Sequence, residues 1–261
     1  MKNIIVCIKQ VPDTDKVQIN RETNTLIREG VPSIINPFDE NAIEAALQLK
    51  EKHGSRVIVV SMGPPQVSEA LKQAIAMGVD EVILVSDRAF AGADTWATSY
   101  TISQAIKQIQ DHDLIICGKQ AIDGDTAQVG PGIAEFLDIP QITFAKDIEF
   151  DGEKLIVQRV VEDGYELIET SLPALVTVNK EINEPRYPSL RGKMKAKTAE
   201  IPVWTFEDIK ANENNVGLDG SPTKVVKIFS PPVKTNSEVF TGDAEDCSKQ
   251  LVGKLKELKI V

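Results

Sequence analysis

Short, almost continuously apolar runs alternate with longer amphipathic stretches through the first half of the chain. Such runs are typical of strands that are buried on both faces of a parallel sheet. The predicted strands cover residues 3–8, 56–60, 81–85 and 114–117, and the predicted helices cover residues 36–53, 64–77, 94–110 and 133–137. This alternation predicts an α/β fold with a mostly parallel, doubly wound sheet.

Residues typical of caps and turns predict the bounds of the first helix and a small hairpin before it. Asn36 suits a helix cap, Pro37 suits the first helical turn, and Gly54 suits the helix end. Residues 17–20 and 25–28 flank a polar stretch, which predicts a short β-hairpin.

The pattern changes after residue 140. Strand-like runs follow at residues 141–144, 155–161, 165–169 and 174–178. Asp151-Gly152 and Asp163-Gly164 mark tight turns between them. We therefore expect these strands to form an antiparallel extension of the same sheet.

The last part of the chain is polar and contains several prolines, without a clear period from residue 183 to about residue 243. Such a stretch is more typical of an arm on a partner than of a free loop. A final helix is predicted over residues 243–258, with leucines on one stripe. The expected organisation is a nucleotide-binding α/β domain over residues 1–182, followed by a docking loop and C-terminal arm over residues 183–261.

Composition excludes several classes of function. The net charge of −10 disfavours nucleic acid as a partner. The three cysteines and two histidines form no metal-ligand spacing, so we expect no metal site. We expect no signal peptide, because the apolar core within residues 1–9 is too short. We expect no membrane span, because no apolar run reaches about 18 residues. The expected location is a reducing cytoplasm.

Four loops leave the predicted strands at what should be one edge of the sheet, where parallel α/β sheets bind their ligands. They run over residues 9–13, 61–65, 86–95 and 118–130. Lys9, Gly63 and Gly130 lie in these loops and are candidate binding residues.

The loop over residues 118–130 is the richest in polar groups. Asp123 and Asp125 are acceptors suited to ribose hydroxyls, while Thr126, Gln128 and the main-chain amides near Ala127 can donate to phosphate oxygens. The helix that follows would favour the negative charge of a phosphate. The alternative is that Asp-Gly-Asp-Thr is only a turn with a helix cap.

Other motifs are absent or ambiguous. Neither the dinucleotide Gly-x-Gly-x-x-Gly nor the phosphate loop Gly-x-x-x-x-Gly-Lys occurs, so an ordinary nicotinamide site is not indicated. Cys7 and Cys117 lie in apolar strands and are expected to be packing residues rather than redox groups. The basic run over residues 191–197 is either a solvated face or a docking site for an acidic partner or anionic substrate.

Longer motifs resemble the β subunit of electron-transfer flavoproteins, over essentially the whole chain. The resemblance lies in Val157-Gln-Arg-Val-Val-Glu-Asp-Gly-Tyr-Glu-Leu-Ile, Leu172-Pro-Ala-Leu-Val-Thr, Asn36-Pro-Phe, Met62-Gly-Pro, Gly118-Lys-Gln-Ala-Ile-Asp and Asn183-Glu-Pro-Arg-Tyr. Many β subunits of this family hold a structural AMP, whereas the electron-bifurcating ones hold FAD in the same place. Residues 87–95, 123–131 and 191–194 are similar to the bifurcating branch.

This resemblance implies a set of binding residues. The adenosine and phosphate pocket would be lined by Cys7, Asn36, Pro37, Phe38, Asp39, Met62, Gly118, Lys119, Gln120, Ala121, Ile122, Asp123, Gly124, Asp125, Thr126, Ala127, Gln128 and Val129. Asp94, Thr95 and Thr98 would lie nearer the flavin. No catalytic side chain is expected, because the flavin supplies the redox chemistry.

The resemblance also implies partners and a role. The chain would pair with the α subunit of an electron-transfer flavoprotein, accept hydride from NADH on FAD, and pass electrons to ferredoxin or flavodoxin and to a flavin dehydrogenase. The docking residues would be Pro185, Arg186, Tyr187, Leu190, Arg191 and Lys193. The alternatives are a non-bifurcating carrier subunit that holds AMP, and a nucleotide-binding regulatory module.

Overall fold

The structure is a computed structural model that describes residues 1–13, 18–20, 25–27, 32–226 and 237–261. The chain forms two compact units, Met1–Lys224 and Val225–Val261. The predicted assignment of binding to residues 1–182 and docking to residues 183–261 stays a prediction.

The first unit contains thirteen strands and five helices among its described residues. The strands are β1 Asn3–Ile8, β2 Gln10–Pro12, β3 Gln18–Asn20, β4 Thr25–Ile27, β5 Ser33–Ile35, β6 Arg56–Met62, β7 Glu81–Val85, β8 His112–Gly118, β9 Gln141–Phe150, β10 Leu155–Val161, β11 Gly164–Thr170, β12 Ala174–Val178 and β13 Val203–Trp204. The helices are α1 Pro37–His53, α2 Ser68–Met77, α3 Thr95–Gln108, α4 Val129–Leu137 and α5 Leu190–Thr198.

A nine-stranded sheet with the order β11-β10-β9-β12-β8-β1-β6-β7-β13 forms the centre of this unit. The strands from β9 to β13 in this order pair in parallel, and β10 runs antiparallel to both of its neighbours. The predicted mostly parallel α/β fold with an antiparallel extension is therefore confirmed.

The two faces of the sheet carry separate apolar clusters, because successive strand residues point to opposite faces. Ile4 and Val6 pack in the cluster that covers α1, α2 and Ala196 of α5. Ile5 and Cys7 pack with α3 and α4 on the other face. The helices on both faces explain why the central strands are apolar throughout.

One predicted strand direction is wrong. The run at 174–178 was grouped with the antiparallel extension, but β12 pairs in parallel with both β8 and β9. All five of its residues are buried, which is the pattern of a parallel strand covered on both faces. The antiparallel part is confined to the β9–β10–β11 hairpins, whose turns lie where Asp151-Gly152 and Asp163-Gly164 predicted them.

The region after residue 183 is more regular than its sequence predicts. It contains α5, the short strand β13 beside β7, and a 3₁₀ turn over Glu213–Asn215. The region lacks an apolar stripe because α5 packs through small residues. A Cβ at Gly192 would overlap the carbonyl of Ala76 in α2, and Ala196 is buried. Small residues therefore let the helix approach closely without a visible hydrophobic period.

Several element ends differ from the predicted ones. The helix predicted over 64–77 begins as a 3₁₀ turn at Pro65–Val67 and becomes α-helical at Ser68. The helix predicted over 133–137 already starts at Val129, and β9 extends to Phe150. The hairpin is confirmed by the pairing of β3 with β4, although residues 17, 21–24 and 28 lie outside the described part of the chain.

The second unit contains helix α6, Ala244–Glu257, which confirms the predicted final helix. The Asp243 carboxylate caps its first turn by accepting the Glu245 and Asp246 N–H groups. Across the ranges that the structure describes, no helix combines the length and apolar character needed to cross a membrane.

Candidate functional site

The order of the strands reverses beside β1. The chain runs outward from β1 through β6 and β7, and then returns to place β8 on the other side of β1. In open parallel sheets, ligands bind in the crevice outside the carboxyl ends of the strands at such a switch point. The crevice here lies between Lys9, which follows β1, and the loop that leaves β8 at Gly118.

The start of α1 ties the two sides of this crevice together. The buried Asn36 side chain donates from Nδ2 to the Gln120 carbonyl at 2.9 Å and accepts the Ile122 N–H through Oδ1 at 3.1 Å. Its main-chain N–H donates to the Lys9 carbonyl at 2.9 Å. Asn36 was predicted to cap α1, but its side chain makes no capping bond and holds the β8 loop instead.

Two charged groups add to this junction. The Lys9 Nζ atom lies 2.7 and 2.8 Å from the Asp123 carboxylate oxygens, which bridges the loops after β1 and β8. The buried Asp39 carboxylate accepts the Lys9 N–H at 2.7 Å. Burial raises the pKa of Asp39 to about 7, although hydrogen bonds from Lys9, Asn36 and Gly118 oppose the rise.

The loop over residues 118–130 is exposed at Asp123, Gly124, Asp125, Thr126 and Gln128. Asp125 and Ala127 both have φ of 54°, in the left-handed region that non-glycine residues rarely adopt. The Gln128 side chain does not cap α4. The Asp125 N–H donates to the Ala121 carbonyl at 2.8 Å, so the segment does form a turn. Its contact with a ligand, and the alternative that it is only a turn with a helix cap, both stay predictions.

The start of α3 supports the other end of this loop. The Thr95 hydroxyl donates to Gln128 Oε1 at 2.9 Å, and the Ser99 hydroxyl lies 3.2 Å from the Val129 carbonyl. Thr95 and Gln128 are thus brought together as expected for one site. Thr98 lies one turn into α3 and is half-buried.

The Asp94 carboxylate is engaged by hydrogen bonds from other residues of this chain. Its carboxylate accepts the Trp96 and Ala97 N–H groups at the start of α3, and also the N–H and hydroxyl of Thr223. Burial raises the pKa of Asp94, but these hydrogen bonds outweigh it and leave the pKa below its usual value. Its expected contact with a flavin stays a prediction.

The remaining predicted binding residues surround the crevice. A Cβ at Gly118 would overlap the Asp39 carboxylate and the Phe38 side chain, so this position requires glycine. Phe38 also has the Lys180 ammonium 5.1 Å from its ring centre. Met62 and Gly63 end β6, the other neighbour of β1, and Gly63 donates its N–H to the Val85 carbonyl at 3.1 Å.

Cys7 and Cys117 face each other on adjacent strands, and both are buried. A hydrogen bond with Cys7 and burial raise the pKa of Cys117 well above its usual value. A thiol that stays protonated is a poor nucleophile and is hard to oxidise, which supports the packing role over a redox role.

The predicted docking segment is anchored along α1. Asn41 and Asn183 exchange hydrogen bonds between side-chain amides and main-chain carbonyls, at 2.9 and 3.0 Å. Arg186 lies between Glu44, at 2.7 Å, and Glu51, at 2.6 Å. Hydrogen bonds to both carboxylates raise the pKa of Arg186, and Arg186 lowers the pKa of Glu51.

Other residues of this segment are open to solvent. Tyr187 is 94 % exposed and Leu190 is 79 % exposed, and Arg191, Lys193 and Met194 are exposed beside them. Pro185 is half-buried. Gly192 and Ala196 face α2, so the other side of α5 is open to solvent. Together with Tyr187 just before the helix, it forms an apolar and basic surface, here called the α5 surface, made of Tyr187, Leu190, Arg191, Lys193 and Met194.

Some supporting residues have no clear signal in the sequence. Asn41 and Glu44 sit among the apolar residues of α1 and hold Asn183 and Arg186 from buried positions. A polar residue within an apolar stripe indicates a buried hydrogen bond. The sequence pattern does not identify its partner, which lies about 140 positions away. Ser99 on α3 is a further example, because the sequence does not predict its contact with the Val129 carbonyl.

The fold defines a doubly wound α/β protein whose strand order reverses beside β1, the place where such sheets bind their ligands. The model of the electron transfer flavoprotein domain matches residues 23–209. The chain is 53 % identical over 260 residues to the electron transfer flavoprotein subunit beta of Thermoanaerobacterium thermosaccharolyticum, covering 99 % of this chain and 100 % of that protein. The chain belongs to the electron transfer flavoprotein family, as a beta subunit.

Two further relatives carry more specific names. The chain is 53 % identical to the caffeyl-CoA reductase-Etf complex subunit CarD of Acetobacterium woodii, over 99 % of both chains. It is 43 % identical to the acryloyl-CoA reductase electron transfer subunit gamma of Anaerotignum propionicum, again over 99 % of both. Both names describe subunits of reductase systems.

Proposed function

We propose that this chain is the FAD-binding beta subunit of an electron-bifurcating electron transfer flavoprotein. The observation that carries the proposal is the crevice between β1 and β8, where Asn36, Asp39 and Lys9 join an exposed loop to the carboxyl end of the sheet. When bound there, FAD would accept hydride from NADH and send one electron to ferredoxin or flavodoxin and the other, through the FAD of the alpha subunit, to a partner dehydrogenase.

The residues present fit the ADP half of FAD. Ala127 is left-handed and the next residue, Gln128, has a right-handed helical backbone just before α4. Successive residues of opposite hand form the kind of main-chain concavity that binds anions. The α4 dipole favours phosphate charge at the same point. Asp123 offers carboxylate oxygens to ribose hydroxyls, and Lys9 keeps that carboxylate in place.

The site is shallow, which suits a subunit rather than a complete enzyme. The loop over residues 123–128 is largely exposed, so these residues hold a nucleotide on an open edge of the sheet. A tricyclic ring beside Thr95 and Thr98 would need further cover, and the alpha subunit is the proposed source of it. This chain contributes binding and orientation, and no side chain of it is assigned a proton-transfer role.

The α5 surface is the proposed contact for the partner dehydrogenase. Exposed aromatic and long apolar residues beside basic ones are typical of protein interfaces. The relatives named as subunits of caffeyl-CoA and acryloyl-CoA reductase systems support a flavin dehydrogenase of the acyl-CoA or enoyl-CoA type, and a hydroxy-acid type is the other candidate.

An anaerobic reduction assay tests the proposal. The chain is co-purified with its alpha subunit and mixed with NADH, ferredoxin and the dehydrogenase. Ferredoxin should become reduced only when the oxidised substrate of the dehydrogenase is also present, because the two electron transfers are coupled. A heterodimer whose flavin absorbance does not change with NADH would contradict the proposal and would favour a carrier that holds AMP here.

A further inference from the structure

Asp39 occupies an unusual position in the crevice. It lies in the first turn of α1 and is only 5 % exposed. Its Oδ2 atom accepts the Lys9 N–H at 2.7 Å, directly after β1. The Gly118 main chain and the Asn36 side chain also face this carboxylate and lower its pKa against the effect of burial.

These bonds join the two sides of the binding crevice through one side chain. Lys9 begins the loop after β1, and Gly118 begins the loop over residues 118–130. Gly118 has no Cβ where Asp39 and Phe38 approach, so the carboxylate sits against the main chain itself. The spacing between the two loops therefore depends directly on this carboxylate.

The charge of Asp39 determines how many of these bonds can form. An ionised carboxylate only accepts hydrogen bonds, which suits the Lys9 N–H that it binds and the Gly118 N–H and Asn36 amide that face it. A protonated carboxyl places an O–H among donors, so one of them loses its acceptor. Since burial brings the pKa of Asp39 to about 7, this change falls near neutral pH.

Several other titratable and charged groups lie around Asp39, on the elements packed against it. From β8, Cys117 has a pKa well above its usual value and stays neutral, and the Cys7 thiol faces it from β1. From the loop after β1, Lys9 Nζ pairs with Asp123. Lys180 approaches Phe38 from the turn after β12. On α1 itself, burial raises the pKa of Glu40, which makes Glu40 the closest comparison.

We propose that Asp39 is a positioning residue that holds the two loops of the nucleotide crevice together while it is ionised, and that its protonation speeds release of the nucleotide. The inference rests on the proposed function, because it takes the crevice to be the nucleotide site. It concerns any adenine nucleotide held there, whether FAD or AMP.

The test measures release of bound FAD from the heterodimer at about pH 6 and about pH 8. FAD is the suitable probe because its pyrophosphate does not titrate in this range, unlike the monoester phosphate of AMP. Bound flavin is separated by rapid gel filtration after timed incubation with excess unlabelled FAD, and the label remaining is counted. The alpha subunit is identical in every sample, so differences between variants report on this chain.

Wild type should release flavin about tenfold faster at the lower pH, the effect of one lost buried hydrogen bond. Asp39→Asn has one acceptor oxygen and should release flavin quickly at both pH values. Glu40→Gln is the matched control and should keep the wild-type ratio. A wild-type ratio near one, or loss of the ratio in Glu40→Gln, would overturn the inference.

The experiment distinguishes failure of the Asp39 role from failure of the proposed function. If Asp39→Asn does not assemble, Asp39→Ser takes its place, because it also removes the titrating carboxyl. Asp39→Ser should lose the wild-type ratio, and a ratio that survives in this variant would overturn the inference. A heterodimer whose beta subunit binds no nucleotide at either pH would contradict the proposed function. A loaded beta subunit with pH-independent release would overturn only the role of Asp39.

Discussion

Asp125 and Ala127 share a left-handed backbone within one exposed loop. For an aspartate this conformation is tolerated, but for an alanine it costs about 1 kcal/mol. Such conformations persist where the surrounding structure holds them, often at ligand sites. Their position before α4 is the residue-scale feature that best fits a phosphate contact.

Ala127→Gly should raise the free energy of unfolding by about 0.5–1 kcal/mol, because glycine adopts positive φ without a Cβ penalty. Ala121→Gly is the matched control, since Ala121 lies in the same loop outside the left-handed residues. That control should lower the free energy of unfolding through backbone entropy alone. Denaturant unfolding of both variants checks this, and shifts of the same sign would contradict the assigned backbone strain.

The sequence predicted most of the residues of the crevice but not what they do. Strand ends followed by polar loops locate Lys9, Asp123 and the residues near Gly118, because the carboxyl ends of parallel strands share one edge. The sequence did not show that Asn36 would bind the β8 loop, or that Asp39 would accept the Lys9 main-chain N–H and lie against Gly118. Those contacts depend on how α1 packs across β1 and β8.

At the scale of elements, α1 connects two regions. Its first turn holds the crevice through Asn36 and Asp39, and later turns hold the docking segment through Asn41, Glu44 and Glu51. Arg186 therefore orients the docking segment, and its guanidinium is already engaged by its own chain. The exposed neighbours of Arg186 are therefore the residues proposed to contact the dehydrogenase.

Arg186→Gln should lower the free energy of unfolding by roughly 2–3 kcal/mol, because Glu44 is 5 % exposed and would lose its partner. It should also raise the KM for the dehydrogenase while kcat and flavin content stay unchanged. Glu51→Gln removes the exposed half of the cluster and should cost less than about 1 kcal/mol. If the two variants had equal unfolding energies and equal KM values, Arg186 would have no positioning role.

Leu190→Ala should leave stability within about 0.5 kcal/mol of wild type, because Leu190 is 79 % exposed. Loss of a central apolar anchor should raise the KM for the dehydrogenase about tenfold or more. Leu167→Ala, at a 70 % exposed leucine on β11, is the matched control. Steady-state electron transfer measures both, and an equal KM for the two variants would remove Leu190 from the docking contact.

Strands and helices with a clear pattern of apolar residues were predictable from the sequence. The direction of β12 and the presence of α5 depend on packing against neighbouring elements, and they were not. The alternation of β1, β6, β7 and β8 with α1 to α3 is visible in the sequence because each element buries large side chains. The direction of β12 was missed because periodicity does not specify pairing. Helix α5 was missed because it packs against α2 through Gly192 and Ala196, which leave no apolar stripe.

At the scale of the whole molecule, strand order creates the site. The crevice exists because β8 returns beside β1 after the chain has moved outward through β7. No single motif encodes this arrangement, and none of the common dinucleotide or phosphate-loop patterns occurs in the sequence. The four strand-end loops lie far apart in the sequence, and only the order of the strands brings them to one edge of the sheet.

The ligand itself is the part that neither fold nor loop specifies fully. FAD and AMP share adenosine and its first phosphate, so the proposed binding residues from Asn36 to Asp39 and from Gly118 to Gln128 would suit either nucleotide. The flavin half would lie beside Thr95 and Thr98, where the alpha subunit is proposed to complete the site. Chemical analysis of the assembled heterodimer therefore tests the central proposal more directly than any single variant.

That measurement is the nucleotide content of the heterodimer after desalting and acid release, with FAD and AMP separated by chromatography and related to protein concentration. The proposed function predicts two FAD per heterodimer and no AMP, one FAD in the alpha subunit and one in the β1–β8 crevice of this chain. One FAD with one AMP would contradict it.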